Sequence, residues 1–169
     1  ELAFAGADEE AIATATLTVG VAGAKPSAAV FGVAGDPALG DSAWEEVRGP
    51  GDALFGEGAT VAMPAAPYPD GSGTFDDPSV HVFLPEHHRE RGAQDLVVHF
   101  HGFNTTVAAT LAAHLYREQV YASGANAVLV VPQGPVDASN GDFGKLMDPG
   151  GLADLTREVL VLLYRDGKI

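Results

Sequence analysis

The stretch Asp95–Thr106, DLVVHFHGFNTT, runs from an apolar, β-branched segment through two histidines and a glycine into three residues that cap helices. Leu96–Phe100 has the composition of a buried strand. Gly102 allows the backbone a tight turn. Asn104, Thr105 or Thr106 can then cap a helix running to about Ser123, where Gly124 supplies the stop. Val107, Leu111 and Leu115 are expected to form the buried stripe of that helix.

Downstream the rhythm repeats. Ala127–Val131, AVLVV, is apolar on both faces, as in the middle of a parallel sheet. A long polar loop follows, PQGPVDASNGDFGKLMDPG from Pro132, carrying Gln133, Asp137, Asn140, Asp142 and Lys145. Loops beyond about 12–15 residues are usually functional or disordered. Asp148 is expected to cap the next helix, with Pro149 in its first turn. Leu152, Leu155, Val159, Leu162 and Leu163 share one face of it, opposite Asp154, Arg157 and Glu158. Gly167 marks its end, and Lys168 and Ile169 look like the opening of a further strand. Strand, helix, strand, helix with short links predicts right-handed crossovers and an α/β fold with a mostly parallel sheet, helices on both faces. In such sheets the site lies at the carboxyl ends of the strands, where HGFN and the long loop both emerge.

Upstream, SVHVFLPE from Ser79 is another strand, and the Pro-, Gly- and Asp-rich segment Pro64–Pro78 is a loop. The runs from Ala15, Ala28 and Ala59 predict short antiparallel strands. GDSAWEEV from Gly40 predicts one helical turn capped by Asp41 or Ser42, with Trp44 filling the core edge. Residues 1–78 are therefore expected to be a β-rich N-terminal part of the same domain, and 79–169 the first strands and helices of the parallel sheet. Beyond an alanine bias, neither a repeat nor a low-complexity tract stands out.

The 169 residues suit one domain, and 46% hydrophobic with 19% charged residues is a globular balance. Nine Lys and Arg against 23 Asp and Glu give a formal charge of −14, which repels a polyphosphate backbone and makes nucleic acid an unexpected partner. Without cysteine there is no disulfide, thiolate nucleophile or Cys-ligated zinc. The longest apolar runs fall far below the roughly 20 residues of a spanning helix, so no membrane span is expected. No signal segment opens these residues, but a mature secreted form would look the same.

A strand ending in His101-Gly102, then Phe103-Asn104 and a capped helix, resembles the α/β-hydrolase fold, whose third strand ends in an HG-type oxyanion loop. SVHVFLPE is similar to that family's preceding strand, NAVLVVPQGP to its next strand, and DPGGLADLTREVLVLLYRDGKI to the helix leading into the nucleophile strand. The likeness covers Ser79–Ile169 and is greatest to secreted-esterase-like hydrolases with HFHG loops, which leans the localisation towards secretion. It implies hydrolysis of an ester or amide, small-molecule or polymer, without a cofactor. It also implies that the Phe103 backbone N–H helps hold the oxyanion. Asn104 then adds a side-chain donor or caps the helix, the cap being the expectation. His101, Gly102 and Gln133 would belong to the substrate-binding wall, with His101 ordering the loop through hydrogen bonds.

The nucleophile elbow G-x-S-x-G does not occur in these 169 residues; Ser123 in YASGANA ends a helix instead. In this family the acid and histidine follow the serine in chain order. The expectation is therefore an N-terminal piece of a processed or nicked hydrolase, with Ser, Asp or Glu, and His on a second polypeptide. Half a parallel sheet would leave a long unpaired edge and an uncovered apolar face, which a second polypeptide would cover. The alternatives are a non-catalytic binding or structural module of the same fold, or a metal-dependent hydrolase. For the last, His99 and His101 point to one face of a strand, and His81 on a neighbouring strand, or His87 and His88, would complete a three-histidine site. Hydrogen-bonded core and solvated surface histidines are the ordinary reading, and no metal is expected. The adjacent pairs Glu9-Glu10, Glu45-Glu46 and Asp76-Asp77 do not face each other on helix or strand and are read as solvated charge. His114 and Glu118 are read as a helix-edge contact.

Overall fold

The β-branched runs around Val80, Val97 and Val130 all form strands, and the way they pair sets the architecture. The computed structural model describes residues 12–17, 37–91, 93–136 and 141–169. Its strands are β1 (Ile12–Leu17), β2 (Glu45–Arg48), β3 (Leu54–Ala62), β4 (Ser79–Pro85), β5 (Gln94–His99) and β6 (Ala127–Pro132). Its α-helices are α1 (Val107–His114), α2 (Tyr116–Ser123) and α3 (Gly151–Arg165). One sheet holds the strands in the order β1-β5-β6-β4-β3-β2. The strand expected from Ala28 and the pair Glu9-Glu10 lie outside the described residues.

The protein is a mixed α/β fold, but the expected mostly parallel sheet is corrected. Among the described strands only β5 and β6 run parallel, Asp95 opposite Ala127 through Val98 opposite Val130. The β1–β5, β6–β4, β4–β3 and β3–β2 pairs are antiparallel. The reason lies in what a continuous apolar run reports. Val128 and Val130 pack with α3, through Leu155, Val159, Leu162 and Leu163, on one face of the sheet. Leu129 and Val131 pack with Val107, Leu111 and Tyr116 of α1 and α2 on the other. A strand covered on both faces must be apolar on both, whichever way its neighbours run. These layers cover both faces of the central strands, and β1 pairs with β5.

Helix formation departs from expectation at three points. The single helix to Ser123 is two, broken at Leu115, whose backbone is left-handed (φ 54°, ψ 39°). Leu115 is thereby thrown outward, 53% exposed, while Val107 and Leu111 stay buried. Thr106, not Asn104, caps α1, its side chain accepting from Ala109 N–H (3.2 Å). Asn104 is itself left-handed at φ 59°. We expect Thr106→Ala to cost about 1 kcal/mol in urea unfolding. Asn104→Gly, relieved of its positive φ, should cost nothing measurable.

Further along, Asp148 closes a short 3-10 turn at Gly144–Met147, and α3 starts only after Gly150, so Asp148 and Pro149 are not its cap. Glu158, expected on the solvent face, is buried and accepts from Ala65 N–H (2.7 Å). Burial pushes its carboxyl up from the ordinary range, partly opposed by the Ala65 hydrogen bond. Lys168 and Ile169 do not open a strand. Lys168 N–H returns to Leu163 O (2.8 Å) and its ammonium reaches Glu57 (2.6 Å). The turn predicted at GDSAWEEV is extended instead, with Glu45–Arg48 in β2. Trp44 does sit at the core edge, donating through Nε1 to Asp166 (2.8 Å).

Candidate functional site

At the carboxyl ends of the parallel pair, the chain leaves β5 through His101–Asn104 and leaves β6 through Gln133–Val136. These two turns are tied together by one buried imidazole. His101 Nε2 accepts from Gly134 N–H (2.8 Å) and from the Gln133 side-chain amide (3.1 Å). Its Nδ1 lies 3.0 Å from Gly102 O. Two donors on Nε2 leave the proton on Nδ1, so the ring is neutral and donates to the Gly102 carbonyl. Burial lowers its pKa, against a smaller upward pull from that carbonyl.

Gln133, 4% exposed, is the hub of this arrangement. Its Oε1 accepts from Val107 N–H (3.0 Å), the first residue of α1, while Nε2 also donates to Gly134 O (2.8 Å). Its amide is therefore spent on the protein, joining the loop after β5, the start of α1 and the loop after β6. Gln133→Ala would strand the Val107 N–H in a dry interior, at a cost of about 2 kcal/mol. We expect a matching fall in unfolding free energy, with His101 exchange broadened in NMR spectra.

Beyond that anchor the loop faces outward. Gly102, Phe103 and Asn104 are exposed, Phe103 by 61%. Among the described residues, no acceptor takes the Phe103 N–H. Phe143 packs behind the loop, edge-on to Phe100 (4.9 Å) and against the His101 ring (6.0 Å). A side chain on Gly134 would lie 2.6 Å from that phenyl ring, so this position needs glycine for close approach. Sequence reasoning passed over Phe143; an aromatic inside a polar loop was the available signal. Of the other long-loop candidates, Lys145 reaches Pro64 O (2.6 Å), and Asp142 accepts from Gly144 N–H (2.8 Å). Asp137 and Asn140 lie outside the described residues.

The remaining histidines disperse. β6 lies between β4 and β5, so His81 is not on the strand next to His99. Two strand spacings put the two about 10 Å apart. His99 stacks on Tyr116 (3.9 Å), His87 faces Ala125 O (3.0 Å), and His88 pairs with Gln94 (2.9 Å). Among the described residues no group of three His, Asp or Glu is arranged to hold a metal ion. His114 stacks near Tyr116 (5.4 Å). No family model, curated protein or solved structure matches the chain.

Proposed function

We propose that this chain is the oxyanion-loop part of an α/β-hydrolase-type serine hydrolase acting on an ester or amide, small or polymeric. Ser, Asp or Glu, and His come from a second polypeptide. The observation that carries the reading is the exposed Gly102–Asn104 turn at the carboxyl end of β5, held from behind by the buried His101 ring. Its location adds support. The helices that follow β5 and β6 cover opposite faces of the sheet. Such a reversal opens a crevice at the carboxyl ends of parallel strands, where ligands of α/β sheets bind.

In this reading the serine oxygen attacks the substrate carbonyl carbon, and the carbonyl oxygen becomes an alkoxide. The Phe103 N–H, which bonds no acceptor among the described residues, donates to it. His101 keeps the donor in place and transfers no proton, because both its nitrogens are engaged inside the fold. A fixed donor at a developing oxyanion is worth about 3 kcal/mol. Phe103→Pro, which deletes the N–H, should therefore lower kcat/KM about 100-fold against an activated ester, with KM little changed.

The test is a fluorophosphonate probe on the purified preparation, read by denatured intact mass. Labelling of a second polypeptide at a G-x-S-x-G serine is the expected result. Absence of labelling would leave a non-catalytic binding module with the same fold.

A further inference from the structure

The α2 face of the sheet carries a polar cluster that the candidate site does not use. His81 of β4 stands between Thr60 of β3 and Val131 of β6, its partners in register, and α2 packs across these strands. The His81 ring is buried and its Nδ1 meets the Thr60 hydroxyl (3.0 Å), while Nε2 meets no partner among the described residues. Arg117 of α2 supplies the charge that acts on the ring. Its Nε–H is also buried and unpartnered among the described residues. Other cations of this acidic chain find carboxylates: Arg48 with Glu46, Arg157 with Asp154, Arg165 with Asp166 and Lys168 with Glu57. Among the described residues Arg117 pairs with none, neither Glu118 beside it on α2 nor Glu45, which lies exposed on β2 opposite Gly58.

Gly58 adds room to this cluster. It is buried on β3, and a side-chain carbon there would stand 3.0 Å from Cε1 and 3.1 Å from Nε2 of His81, so the glycine leaves that edge of the ring uncovered. Thr60 is exposed and Arg117 half-buried, which gives solvent ions a way in. Once protonated, His81 presents a buried Nε2–H beside the Nε–H of Arg117, and two such donors without an acceptor are costly. One anion satisfies both through charge-assisted hydrogen bonds.

The geometry points to a site for a small monovalent anion such as chloride, gripped between the Arg117 Nε–H and the Nε2–H of protonated His81, so that proton and anion enter together. The proton alone sets a second positive charge beside Arg117; with the anion, the charge added to the cluster is zero. The methyl-sized room over Gly58 suits a halide better than a bulky organic anion. Binding to the protonated folded state raises the folded pKa of His81 towards its ordinary value, so chloride narrows the acid range in which this residue withdraws stability. The site stands whether or not the chain is part of a hydrolase.

The test follows the His81 ring by NMR through a pH titration of the full chain, in sodium chloride and in sodium methanesulfonate at equal ionic strength. We expect at least tenfold stronger proton uptake by His81 in saturating chloride, and by reciprocity at least tenfold tighter chloride binding at pH 5 than at pH 8. Arg117→Gln, and Gly58→Ala with its methyl beside Nε2, should each abolish the difference between the two salts while the amide spectrum stays that of the folded chain. Should Gly58→Ala fail to fold, Arg117→Gln decides alone. Identical titrations in both salts would overturn the proposal and leave the two nitrogens to a bridging water. A chloride effect that survives Arg117→Gln would overturn it equally.

Discussion

Acidification from pH 6.5 to about 4 is expected to destabilise the fold by about 3 kcal/mol through His81 alone. The His81 ring is 6% exposed, and its pKa is pushed down from 6.5 to about 4, first by burial and then by the Arg117 charge. Its Nδ1 sits 3.0 Å from the Thr60 hydroxyl, and Nε2 is buried with no hydrogen-bond partner among the described residues. Protonating that nitrogen would bury a charged N–H without an acceptor. The folded state therefore stays neutral while the unfolded chain takes up a proton below about pH 6.5. Stability from this group is complete above pH 6.5 and falls as the pH drops towards 4. His101, also held below its ordinary value by burial, adds to the same trend. Urea midpoints between pH 7 and 4.5 test this, with His81→Gln as the comparison. Equal slopes in the two proteins would mean that His81 is not a buried neutral ring.

Leu162→Ala should lower stability by about 3 kcal/mol, within the range of roughly 2–5 for leucines whose cavity cannot collapse. Leu162 is fully buried and sits with Leu155, Val159 and Leu163 against Val80, Val82, Leu96, Val98, Val128 and Val130. These valines are β-branched and stiff at χ1, so they cannot swing into the space left behind. For a domain of this size the melting temperature should fall by about 6–12 °C. Leu115→Ala is the control, since Leu115 is largely exposed. Calorimetry showing similar losses for both would deny α3 its place as the cover of that face.

The sequence exposed the elements more clearly than their neighbours. β4, β5 and β6 stood out because β-branched apolar runs bounded by turn residues have few other uses. Strand direction did not, because pairing of β6 with both β4 and β5 depends on contacts between distant segments that leave no local mark. The left-handed Leu115 carries no glycine or proline to announce it. At α3, the Asp148-Pro149 signature was real but was used by the preceding 3-10 turn, whose Asp148 N–H bonds Lys145 O (3.1 Å).

The candidate site was legible in part for similar reasons. His101-Gly102 drew attention through residue types adjacent in sequence. Gln133 was picked out as a polar loop residue, whereas its amide faces inward to a histidine on another strand end. Nothing in VVPQGP distinguishes a glutamine aimed at solvent from one that spans two loops. The distance between His81 and His99 was misjudged because the intervening strand comes later in the sequence.

The break at Leu115 also bears on the order in which the molecule assembles. Each half of the broken helix has 8 residues, below the roughly 12–15 that an isolated helix needs to persist in water. Neither would persist alone, so this layer depends on its packing against the sheet through Val107, Leu111 and Tyr116. Transient loss of α1 removes the Val107 N–H from Gln133, and with it one strut of the loop that presents Phe103. Sub-global opening can thus slacken the candidate site while α3 and the opposite face stay folded.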